Sequence, residues 1–403
     1  MLIMFGEQLK DVFVSFKKRK RACVEISAVA GCLIYTIAHG MLDVTAFNVQ
    51  TGQLLLFIIA AGIVAVEQQK KRDGLFNRKR EIIFKRHPHK SGGFVMILTV
   101  CANPCIDKTI TINGIVMGQY NKIIDSMINP SGKGINVGVT LTRLGGQAFC
   151  TGFNYESNGS ILTQWLDKEK TPCEFVYSPG EIRTNIKVID IESGVMTEFN
   201  ESGRFASEEK KQELEMLVER WAAQCDMAVF SGSLPPGCEH SYYAKLMDKC
   251  SGIKCVLDAS GSAFEAGLEL QPYMVKPNSY ELSLYAKKEL STPREHLQAA
   301  LELVRRGVNI VCVSMGQNGA LITDGLKAFY APPVQVRVKS AVGAGDAMVA
   351  GCVKGISDGL DMERFFIQGV AAATACVLAE GTTPLREDFE HMLPRVEIEE
   401  MEI

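Results

Sequence analysis

From Met96 onward this chain keeps one rhythm: short, wholly apolar runs alternate with longer stretches in which apolar residues return at helical spacing. Met96-Ile97-Leu98-Thr99-Val100, Met227-Ala228-Val229-Phe230, Cys255-Val256-Leu257 and Ile310-Val311-Cys312-Val313 have the length of strands buried on both faces of a parallel sheet. Between them, Leu214, Leu217, Val218 and Trp221 form one helical stripe, and Leu297, Ala300, Leu301 and Val304 form another. The second stripe follows Thr292-Pro293-Arg294-Glu295, a capping box with proline at the first helical position, and ends at Gly307. Strand, helix, strand at this spacing requires crossover connections, so residues 96–403 are expected to form an α/β/α sandwich with a mainly parallel central sheet. Residues 107–126 and 174–199 break the rhythm with polar, β-branched alternation and turn signals at Asn113-Gly114 and Ser193-Gly194. These are predicted to be antiparallel strands of a small second sheet, a lid beside the carboxyl ends of the parallel strands, where a ligand would sit.

Two glycine-rich turns carry the chemistry: Ser131-Gly132-Lys133-Gly134-Ile135-Asn136 and Gly343-Ala344-Gly345-Asp346. Each reads as a strand-to-helix turn. Glycine lets the main chain approach an oxyanion without a Cβ in the way, and the first turn of the following helix adds unpaired N–H groups and the positive end of its dipole. One turn carries a lysine and the other ends in a carboxylate, which together make a phosphate-transfer constellation.

Seven motifs then occur in order: Asn103-Pro104-Cys105-Ile106-Asp107, Gly132-Lys133-Gly134-Ile135-Asn136, Arg183-Thr184-Asn185-Ile186-Lys187, Ser231-Gly232-Ser233-Leu234-Pro235, Lys276-Pro277-Asn278 with Glu281, Ser314-Met315-Gly316-Gln317-Asn318-Gly319 and Val342-Gly343-Ala344-Gly345-Asp346. With these the chain from Met96 to about Glu399 resembles the phosphofructokinase B family of ribokinase-like sugar kinases, and most of all its phosphosugar branch of 1-phosphofructokinases and tagatose-6-phosphate kinases. The resemblance implies ATP and Mg²⁺, with Asp346 as general base toward a sugar hydroxyl and the amides of Gly343, Ala344 and Gly345 as an anion hole. It implies that Asp107, Gly132, Lys133, Asn136, Arg183, Asn185 and Lys187 bind the sugar phosphate, the three cations as a clamp. Ser314, Gly316, Gly319 and Gly345 would line the ATP pocket, and Asn278 with Glu281 would orient Mg²⁺ and its waters. The expected reaction is phosphorylation of fructose 1-phosphate at its C6 hydroxyl. Tagatose-6-phosphate or 6-phosphofructokinase activity is the alternative, and a membrane-tethered sugar-phosphate-binding protein without turnover is a further one. Three positions depart from the pattern: Ala341 stands where threonine is common, Ala347 where the branch often has serine, and Ser131 where glycine is common. A homodimer is also implied, because lid sheets of this family often pair between subunits.

Residues 1–95 are of a different character, with 15 Lys/Arg against 7 Asp/Glu, whereas the remainder carries 28 against 39. An acidic body is a poor nucleic-acid binder, and no such partner is expected. Residues 22–66 contain two imperfect apolar segments bracketed by Lys17-Lys18-Arg19-Lys20-Arg21 and Lys70-Lys71-Arg72. Under the positive-inside rule they read as a two-helix membrane hairpin with both ends cytoplasmic, which would tether a cytoplasmic kinase domain to the inner face of the membrane. An equal reading is that the natural start is Met96. The 13 cysteines have irregular spacing and no C-x-x-C pair, so buried, reduced thiols are expected rather than zinc or disulfides.

Overall fold

The computed structural model describes residues 95–403; the expected hairpin at 22–66 and its linker lie outside the described residues. The described strands are β1 (Met96–Cys101), β2 (Cys105–Ile112), β3 (Asp125–Ser131), β4 (Gln147–Tyr155), β5 (Cys173–Ser178), β6 (Arg183–Asp190), β7 (Met196–Asn200), β8 (Met227–Ser231), β9 (Lys254–Asp258), β10 (Met274–Val275), β11 (Ile310–Ser314), β12 (Ala320–Thr323), β13 (Ala328–Ala331) and β14 (Glu399–Glu400). Ten of them form the central sheet, in the order β14-β13-β12-β11-β10-β9-β8-β1-β4-β5. From β5 to β11 neighbours run parallel, and β12, β13 and β14 add an antiparallel edge. This is the expected α/β/α sandwich. Its two faces can be read from adjacent residues of β4: Ala148 packs with Val137 and Leu141 of the helix Lys133–Arg143, and Phe149 stacks on Trp221 of the helix Glu208–Ala222.

The stripe Leu214, Leu217, Val218 and Trp221 is buried as predicted. On the helix Pro293–Arg305 the capping box forms, but Ala299 and Leu303 take fully buried positions while Leu301 and Val304 are half-buried. The helix is rotated slightly because Leu303 reaches the core better than Val304 does.

The lid needs two corrections. Residues 174–178 lie on the main sheet: Phe175 and Val176 are adjacent and both buried, which an exposed lid strand cannot offer, so β5 pairs parallel with β4. Nor is the lid wholly antiparallel. Its order is β3-β2-β6-β7, and β2 runs parallel to β6 because the chain returns from the main sheet before β6 begins. The lid strand β3 ends in Ser131, directly before the first glycine turn. Eleven cysteines lie among the described residues, nine of them buried. No helix among the described residues is long and apolar enough to cross a membrane.

Candidate active site

The two glycine turns converge. Gly132 precedes the helix Lys133–Arg143, and Gly343 precedes the helix Ala344–Ser357. Gly134 lets the first helix sit against β1: a Cβ there would lie 2.6 Å from the Val100 carbonyl oxygen. Gly343 has φ 84° and its missing side chain makes room for the Thr382 carbonyl, so any L-residue would be strained and would clash. Across the junction the Asn136 amide donates to Asp346 Oδ2 at 2.8 Å. Asn136, expected at the sugar, is thereby also the group that holds the candidate base.

Asp346 lies in the first helical turn and is only 5% exposed. Burial pushes its carboxyl up to about 6; the Lys133 ammonium pulls the other way, Asp258 adds to the rise, and the Asn136 bond and Lys276 oppose it. Among the described residues none bonds Oδ1, which leaves that oxygen for a hydroxyl proton. Of the expected anion-hole amides, Ala344 N–H closes a 3.4 Å turn onto Ala341 O. Ala341 and Ala347 place no hydroxyl here.

A buried charge cluster sits beside this turn. Asp258, at the end of β9, is fully buried, and its Oδ1 lies 3.5 Å from both the Lys133 and the Lys276 ammonium groups. Ser231 donates to its Oδ2 at 2.9 Å. Burial alone would raise Asp258, but the two lysines flank it and hold it below the usual carboxylate range. Asp258 is also the main cause of the upward shift of Lys133, with Asp346 and Glu281 adding to it against desolvation. Lys133 thus pairs with the buried acid and feels the charge of the candidate base and of the candidate metal residue, and its side chain keeps 42% exposure. Lys276 is buried, with its ammonium 3.2 Å from where a Gly345 Cβ would stand.

The lid does not present its cations alike. Lys187, 5% exposed, is locked on Asp107 Oδ2 at 2.9 Å, and Asn185 donates to Asp107 Oδ1 at 3.0 Å. Arg183 donates to the carbonyls of Asn103 and Glu201 and to Asn185 Oδ1. Its remaining freedom is small, whereas Lys133 is open.

Asn278 and Glu281 form a capping box at the start of the helix Ser279–Ala286: Asn278 Oδ1 accepts from Glu281 N–H, and Glu281 Oε2 accepts from Asn278 N–H. No cluster of three candidate metal ligands exists among the described residues. One free Glu281 oxygen suits a cation that keeps most of its waters, so the pair fits Mg²⁺ through water and not as a direct chelate. Ser314, at the end of β11, forms an isolated parallel bridge with Asn278. Gly316 and Gly319 shape the turn into β12, and Gly319 leaves room for the Ala331 carbonyl.

The model of the pfkB family carbohydrate kinases matches residues 102–388. The chain belongs to the pfkB family of carbohydrate kinases. It is 30% identical over 287 residues to the 1-phosphofructokinase of Vibrio cholerae, covering 71% of this chain and 90% of that protein. It is also 30% identical over 309 residues to the 1-phosphofructokinase of Bacillus subtilis, covering 75% and 99%. The crystal structure of phosphofructokinase-2 from Escherichia coli in complex with fructose-6-phosphate superposes with a TM-score of 0.68 at 29% identity, covering 75% of this chain and 99% of that one. As a pfkB kinase the protein is a phosphotransferase with an alcohol acceptor.

Sequence alone assigns no role to three residues of this candidate site. Asp258 closes the run Cys255-Val256-Leu257, and a carboxylate at the carboxyl end of a buried parallel strand was a usable signal. Lys276 stood within a quoted motif, and its burial beside Asp258 shows only in three dimensions. Thr382 lies in a loop near the C-terminal end of the family match, with no local pattern to mark it.

Proposed function

We propose that the protein phosphorylates a ketohexose phosphate with ATP, and that fructose 1-phosphate, converted to fructose 1,6-bisphosphate, is its substrate. The observation that carries this reading is the buried Asp346 carboxylate, raised to about 6 and held at 2.8 Å by Asn136, on the same glycine turn that Lys276 faces. A base with that value is largely ionised at neutral pH yet basic enough to take a proton from a hydroxyl as it attacks. Asp107, fixed by Lys187 and Asn185, accepts hydrogen bonds from sugar hydroxyls. Lys133, with Arg183 at the edge of the lid, supplies positive charge for phosphate oxygens. The Gly345 amide and Lys276 face the transferred phosphoryl group, and Ser314, Gly316 and Gly319 border the nucleotide. Glu281, with Asn278, would hold Mg²⁺ through water; when bound, the ion screens the phosphate charge.

The relatives named 1-phosphofructokinase support the choice of sugar. Phosphorus NMR of the product from fructose 1-phosphate tests it: the expected spectrum shows the original phosphate at C1 and a new one at C6. Absence of a new sugar phosphate with fructose 1-phosphate, alongside turnover of another ketohexose phosphate, would reassign the substrate.

We also propose a homodimer through the lid. Ile128, Lys108, Ile186 and Phe199 lie in one row across β3, β2, β6 and β7, on the face opposite Asp107 and Asn185. The three apolar members are 58%, 38% and 59% exposed, a patch that a second copy of the same sheet can cover. Sedimentation at micromolar concentration is expected to give twice the chain mass; a monomer would refute the pairing.

A further inference from the structure

We propose that Thr382 is a positioning residue for phosphoryl transfer: its hydroxyl fixes the Asn136 amide, and that amide holds the Asp346 carboxylate in the orientation that accepts the sugar proton. The inference rests on the reading of Asp346 as base. It starts from three groups buried together, at 7%, 3% and 5% exposure for Thr382, Asn136 and Asp346. Thr382 Oγ1 donates to Asn136 Oδ1 at 3.1 Å, and Asn136 Nδ2 donates to Asp346 Oδ2 at 2.8 Å.

The direction of this relay follows from donor chemistry. An ionised carboxylate accepts only, so it demands the NH₂ end of the Asn136 amide. That choice turns the amide oxygen away from Asp346 and leaves it needing a donor inside the protein. Thr382 supplies one. The other hydroxyl near the amide is Ser131 Oγ, at 3.4 Å from both ends of the amide, too long and too symmetric to choose between them. A hydroxyl that donates to the amide oxygen also polarises the amide and strengthens its N–H toward the carboxylate. Without Thr382 the amide loses its anchor, a rotation becomes cheap, and Oδ1 of Asp346 no longer has a fixed aim.

The charged and titratable groups around Asp346 are Lys133 at the other glycine turn, Asp258 at the end of β9, Lys276 after β10 and Cys376 on the helix Met362–Leu378. None of them touches Thr382 in the hydrogen-bond network, so removing the hydroxyl alters one arm only. The Asn136 bond is among the influences that hold Asp346 down, and weakening it moves the carboxyl upward.

Thr382→Val keeps the shape and removes the donor. We expect kcat at neutral pH to fall about 3- to 10-fold and the acid limb of the kcat profile to move up by about half a pH unit, with the KM for ATP unchanged. Thr382→Ser should restore both the rate and the limb. If the valine variant fails to fold, Thr382→Ala removes the same donor without added apolar bulk. An unmoved acid limb in a folded variant without the hydroxyl would overturn the relay, whatever its rate. Asp346→Asn measured in parallel separates the two ideas: an inactive Asn variant with an unmoved limb in Thr382→Val refutes only the relay, and an active Asn variant refutes the base and the relay together.

Discussion

Asp346→Asn is expected to lower kcat by about 10²- to 10⁴-fold while leaving ATP affinity nearly unchanged. The carboxylate sits in the first turn of the helix Ala344–Ser357 with Oδ2 held by Asn136, and in the proposed function Oδ1 takes the hydroxyl proton. Asparagine keeps the size and removes the basicity, so chemistry suffers and nucleotide binding does not. In the wild type the base works only when ionised, and kcat should rise with pH through about 6. The linkage runs the opposite way for stability. The folded carboxyl binds protons more tightly than an unfolded one, so between its ordinary value of 3.8 and about 6 the folded state loses stability as pH rises. The Asn variant lacks this penalty and should resist denaturant at pH 7 at least as well as the wild type. A poorly folded Asn variant would therefore contradict the account of the burial as surely as an active one would contradict the base.

Lys133→Ala is expected to raise the KM for the sugar phosphate by about one to two decades, the worth of a charge-assisted phosphate contact of roughly 1.5–3 kcal/mol, with a smaller effect on the KM for ATP. Of the cations in the site this one has both an open side chain and three carboxylates around it, Asp258, Asp346 and Glu281. Its removal also deprives buried Asp258 of one of two lysines, leaving Lys276 as its counter-charge. A fall in kcat should accompany the loss of affinity, because the same ammonium opposes the rise of Asp346. Equal, small changes in both KM values would sink the assignment of Lys133 to the sugar phosphate.

The parallel sheet was legible because burial on both faces leaves continuous apolar runs such as Met227-Ala228-Val229-Phe230, and the helices showed through stripes like that ending in Trp221. The lid was legible only in part. Phe175 and Val176 carry the signature of the main sheet, yet they stand next to polar alternation that masks it, and parallel pairing of β2 with β6 is decided by long connections, not by local pattern. The glycine turns could be read as anion sites from their local chemistry. Partnerships across the chain could not: Asn136 with Asp346, Lys187 with Asp107, and two lysines sharing Asp258 are each separated by many residues and arise from packing. The Asn278–Glu281 pair shows the reverse case, a spacing that serves a helix cap and a metal role alike.

The central claim is that this site transfers phosphate from ATP to a ketohexose that already bears one. Coupled measurement of ADP release across fructose 1-phosphate, fructose 6-phosphate, tagatose 6-phosphate and unphosphorylated fructose tests it most directly. The account predicts the largest kcat/KM for fructose 1-phosphate, with unphosphorylated fructose lower by at least about 10-fold, the least that one charge-assisted phosphate contact provides. Fructose turned over as well as its phosphates, or no sugar-dependent ADP release with any of the four, would contradict it.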